Sequence, residues 1–93
     1  MTDLLIMPTT AVAASLPFRV TAGMPIAVRA WGLAGAETMT IQISRGDGTE
    51  VFDNIVGDSG TLTAAIPQSA ILVGGLFRLI KTATASAAGA SKD

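Results

Sequence analysis

The stretch TMTIQISRGDG, residues 38–48, has the clearest period in the chain. Met39, Ile41 and Ile43 alternate strictly with Thr38, Thr40, Gln42 and Ser44, which puts apolar side chains on one side of an extended chain and polar ones on the other. Gly46-Asp47-Gly48 then supplies the positive φ of a tight turn, and a second β-forming run, Glu50–Val56, follows. These residues read as a half-buried β-hairpin. Downstream, Asp58-Ser59-Gly60 turns the chain into Thr61–Ile66, with Leu62, Ala64 and Ile66 on one face, and Pro67 closes that strand. Upstream, within Pro25–Leu33, Ile26, Val28 and Ala30 alternate with Ala27, Arg29 and Trp31. Phe18–Thr21 makes a short strand after Pro17, and Ile71–Val73 reads as a strand or as the apolar part of a connection. Gly74-Gly75 breaks the chain before Leu76–Thr84, whose start is apolar on both faces, as in a strand covered on both sides.

No window shows the 3.6-residue period and caps of a helix, and the Ala-rich Thr82–Ala90 carries too many Thr, Ser and Gly for a stable isolated one. The expectation is an all-β chain, a small antiparallel β-sandwich or barrel of immunoglobulin-like size with about six or seven short strands. That domain spans 17–84. An apolar N-terminal arm precedes it (1–16), and a small-residue C-terminal tail that can stay solvated follows (85–93).

Composition narrows function by exclusion. The 93 residues include no Cys, His or Tyr, so the commonest general base, the commonest metal ligand and the thiolate nucleophile are missing. No catalytic, cofactor or metal site is expected. Six Lys and Arg against seven Asp and Glu give a net charge of −1, without the clustered cations that nucleic acid or an anionic membrane requires. The only charge before Arg19 is Asp3, so the apolar start lacks the basic region of a signal peptide, and the charge-free run 59–77 is interrupted by Pro67, Gly74 and Gly75. The chain is 49% apolar and only 14% charged, where ~25% charged is usual. An apolar surplus in so small a chain implies a surface that meets another protein, and a standard interface hides ~800 Å² per partner.

The sites of that contact are read from pattern. Leu4, Leu5, Ile6 and Met7 are either an edge strand of the domain or an arm that docks on a neighbour. Arg29 and Trp31 share one strand face: an interface pair if it points outward, core if both faces are covered. Arg45-Gly46-Asp47 at the hairpin tip matches a tripeptide read by cell-surface receptors, and equally gives what a turn needs. Asp47, Glu50, Asp53 and Asp58 lack the spacing of a calcium loop or the aromatic platforms of a glycosidase and read as solvated turn carboxylates. Arg29, Arg45, Arg78 and Lys81 read as scattered solvated charges.

From the Gly-rich lead-in and Glu37, through the strand Met39–Ile43 and the Gly-Asp-Gly turn, to the run Phe77–Lys81 and its small-residue tail, residues 32–90 resemble small virion proteins of tailed bacteriophages. The resemblance implies a β-sandwich that decorates or cements a capsid from outside, made in the host cytoplasm and resident in the virion. It further implies the major capsid protein as partner, and self-association as a trimer or another symmetric cluster. A tail, head-completion or fibre-associated domain is the alternative within that class, and an immunoglobulin-like receptor-binding or adhesion module the alternative outside it. A Trp expected after the hairpin turn is replaced by Phe52.

Overall fold

The computed structural model describes residues 3–46, 48, 51–54 and 60–93. In chain order the strands are β1 (Asp3–Thr9), β2 (Ala13–Ala14), β3 (Phe18–Val20), β4 (Ile26–Trp31), β5 (Thr38–Ser44), β6 (Phe52–Asn54), β7 (Thr61–Thr63), β8 (Gln68–Ile71), β9 (Gly75–Lys81) and β10 (Ala88–Lys92). The stretch of clearest period folds as its pattern requires. Met39 and Ile41 are buried, Ile43 packs against the core, and Gly46 and Gly48 adopt φ of 72° and 86°. Beyond the turn, β6 pairs back on Gln42–Ser44.

Two antiparallel sheets form the sandwich. Sheet A has the order β1-β10-β4-β8, and sheet B the order β2-β9-β5-β6, with β3 also pairing β9 and β7 also pairing β5. Because β5 occupies the other side of β9, β2 and β3 are two pieces of one edge; β6 and β7 likewise form the opposite edge. With each broken edge taken as one strand, the orders become first-eighth-third-sixth and second-seventh-fourth-fifth. That is the double Greek key of a jelly roll. The likeness to an immunoglobulin domain is therefore one of size, not of strand order.

The flanking segments are corrected by this topology. Residues 3–9 are a strand of sheet A with Ile6 in the core, so the N-terminal segment is no separate arm. The segment 85–93 is not a solvated tail either, since β10 lies between β1 and β4 and buries Ala88 and Ala90 completely. Side-chain size is the reason. Sheet B supplies Phe18, Phe77, Leu79, Met39, Ile41 and Leu62, with the Phe18 and Phe77 rings stacked 6.4 Å apart, while the middle of sheet A supplies Val28, Ala30, Ala88 and Ala90. Large residues of one sheet meet small ones of the other, so alanine, a poor strand former by propensity, is what this layer takes.

A buried cation closes one end. Lys81 points inward from β9, 2% exposed, and its ammonium donates to the Ala11 carbonyl (2.7 Å), the Thr82 carbonyl (3.0 Å) and Thr84 Oγ1 (3.1 Å). Lys81 is thus no solvated charge. Nearby, the Glu37 carboxylate accepts from the Ala85 N–H (2.7 Å) and the Ala34 N–H (2.9 Å), joining the 33–37 turn to the loop after β9. The Ala85 bond chiefly, then the Ala34 bond and the Lys81 charge, hold the Glu37 carboxyl below the ordinary carboxylate range. A depressed pKa adds stability that is present above the unfolded value and is lost as pH falls through the folded one. Glu37→Gln should therefore be less stable than wild type near neutrality, with the gap closing as both are acidified. Thermal midpoints at pH 7 and pH 3 check this, and a gap that does not narrow would mean the carboxylate charge is not the cause.

Candidate functional site

On β4 the core takes Val28 and Ala30, which leaves Ala27, Arg29 and Trp31 on the outer face of sheet A. Trp31 is 42% exposed, so it is a surface residue and not part of the core. Register places Trp31 opposite Gly89 of β10 and Arg29 opposite Ser91, with Leu4 of β1 opposite the same serine. Gly89 is required here. A Cβ at that position would stand 2.9 Å from both the Trp31 ring and the Ile6 carbonyl, and 3.0 Å from the Pro8 ring, so the indole lies over glycine with proline beside it. Leu4 is 54% and Met7 73% exposed. The result is a sheet face of small residues carrying one tryptophan, one arginine and an apolar margin.

On the β8 side this face has a shallow depression of about 270 Å³ lined by Ala27, Arg29, Gln68, Ser69 and Ala70. Among the described residues no carboxylate pairs with Arg29. Arg19 on β3 likewise has no carboxylate partner among the described residues, whereas the remaining cations are engaged. Arg45 grips Asp53 through two bonds of 2.8 and 3.1 Å, Lys92 reaches Asp3 at 3.2 Å, and Arg78 donates to Gln42 Oε1 while its guanidinium lies 4.6 Å from the centre of the Phe52 ring.

The structure thus separates the six residues expected at an interface. Leu4, Met7, Arg29 and Trp31 are exposed; Ile6 is buried and Leu5 packs against the core, because the inward side of β1 must close the sandwich. Arg45 at the hairpin tip already holds Asp53, and Asp47, Glu50 and Asp58 lie outside the described residues. Among the described residues no group of three or more acidic side chains could hold a metal, and no helix is long and apolar enough to cross a membrane. Sequence reasoning missed β8. It gave Ile66 to the preceding strand, whereas the chain turns after Thr63, whose hydroxyl accepts from the Ile66 N–H at 2.9 Å. The available signal was Pro67, which cannot donate to a ladder and so marks the entry to a new strand.

A second exposed apolar group lies at the end of the sandwich away from Trp31. Met24 and the pair Leu72 and Val73 belong to two loops in contact, since a Cβ on Gly74 would stand 3.0 Å from the Ala22 nitrogen. Comparisons of the chain with protein-family models, with curated proteins and with solved structures return no significant match.

Proposed function

We propose that this chain is a non-enzymatic structural protein of a virus particle, a decoration or cement protein that lies on the outer surface of a phage shell and ties its subunits together. The observation that carries this reading is the outer face of sheet A, where Trp31, Leu4 and Met7 are offered to solvent by a small closed domain. Tryptophan and arginine are the side chains most enriched at the energetic centres of protein interfaces, and here both stand on a strand backbone rather than on a loop. Two further points support it. Jelly rolls recur in viral capsids, an argument by fold analogy alone, and the residues behind the resemblance to phage virion proteins now have structural roles. Glu37 and Lys81 close one end of the sandwich, and Phe77 anchors its core. Self-association would draw on Met24, Leu72 and Val73, which leaves the outer face of sheet A for the shell.

The test is the number of copies per purified particle, by densitometry against the major shell protein. A ratio near one, or a simple fraction of it, is expected. A handful of copies would move the chain to the tail or a vertex, and its absence from particles would remove the virion reading.

A further inference from the structure

We infer that β8 is a docking edge: an extended segment of a partner protein adds to sheet A beside it and places a carboxylate on Arg29. The backbone directions establish the edge. Ala27 both donates to and accepts from Asp93, at 3.1 and 2.9 Å, so its polar groups face β10 and not β8. Ala27 and Ala70, directly opposite, are therefore a non-hydrogen-bonded pair, and so are Arg29 and Gln68 two residues along. The Ala30 N–H confirms the phase by donating to the Pro67 carbonyl at 2.7 Å. It follows that the N–H and C=O of Gln68 and Ala70 point out of the sheet, and no described residue bonds them.

The other edges are guarded. β1 contains Asp3 and Pro8 and has two register shifts against β10, while both edges of sheet B are broken into pieces of two or three residues. Charge, proline, bulges and brevity are the usual devices that stop a sheet edge from recruiting another strand. β8 is short, but it pairs β4 in unbroken register and contains no charge and no proline.

The side chains select the occupant. A strand beside β8 lies two strand spacings, ~10 Å, from β4; Gln68 stands directly between Arg29 and that strand, so Arg29 meets a glutamate there along the diagonal that passes over the small Ala70. The depression over Ala27 and Ala70 is that space, and the unpaired Arg29 lies at its rim. A second copy pairing β8 to β8 would bring Gln68, Ser69, Ala70 and Ile71, none of them acidic, so charge favours a foreign segment with an acidic side chain between alternating apolar ones. This deepens the shell-binding reading by naming what the surface takes, and its test needs no particle, so the two can fail separately.

The probe is an end-capped Thr-Val-Glu-Val-Thr peptide titrated into the ¹⁵N-labelled full chain, with amide shifts as readout and Thr-Val-Gln-Val-Thr as control. Shifts are expected at residues 68–71 and at the Arg29 side chain, with affinity at least about tenfold lower for the Gln peptide or for Arg29→Gln. Ala70→Pro, which removes an N–H that the fold does not use, should keep the spectrum of the folded chain and lose the peptide. Equal binding of the Glu and Gln peptides, shifts centred on another edge, or none at millimolar peptide would each overturn the inference. Should Ala70→Pro not fold, the peptide pair and Arg29→Gln still decide.

Discussion

Truncation after Thr84 is expected to abolish cooperative unfolding. The segment removed contains β10, which forms ladders with both β1 and β4, so its loss separates β1 from the sandwich and leaves β4 with β8 alone. The inner surfaces of Ile6, Val28 and Ala30 would then meet water. A small domain has on the order of 5–15 kcal/mol of total stability, and losing a central strand with two ladders removes all of it. Circular dichroism should show no cooperative transition with heat or urea, and a hydrophobic dye should bind. A truncated chain that melts like wild type would mean that residues 85–93 stand outside the fold.

The second large effect is expected at Lys81. Its ammonium serves two carbonyls and one hydroxyl, tying the loop that follows β9 (residues 82 and 84) to residue 11, between β1 and β2. Lys81→Met keeps much of the shape and recovers the desolvation cost of the charge, but leaves the acceptors without a donor, which costs roughly 1–3 kcal/mol. Lys81→Ala adds a cavity, and a total of roughly 3–5 kcal/mol is expected. Urea midpoints should therefore fall in the order wild type, Lys81→Met, Lys81→Ala. Equal stability of wild type and Lys81→Met would show that the three bonds contribute no net stability.

How much could be read from the sequence differs by element, for physical reasons. β4 and β5 were legible because their core side chains fall on one face only, so the period of two survives in the residues even though Gln42 on the other face of β5 is buried under its bonds to Asn54 and Arg78. The hairpin turn was legible because positive φ at Gly46 and Gly48 restricts the residue type. β10 was not, since an inner face built of Ala88 and Ala90 across from large side chains has the composition of a flexible tail. Lys81 closed an apolar run and read as a surface charge; its burial depends on the Ala11 carbonyl, an acceptor 70 residues away that only the fold brings to it. The outer face was half legible. Arg29 and Trp31 were placed on one face of a strand, yet whether it pointed outward depended on β10 and β8, the two strands the pattern did not reveal.

Contact between the outer face of sheet A and a shell is open to hydroxyl-radical footprinting of the free and particle-bound chain, read by mass spectrometry. Tryptophan and methionine are highly reactive side chains, and the chain places them usefully: Trp31 and Met7 at that face, Met24 at the far end, and Met39 fully buried as an internal control. Trp31 and Met7 should be protected on the particle, with Met39 inert throughout. Bound chain in which Trp31 and Met7 react as freely as in solution, with protection elsewhere on the surface, would contradict that contact.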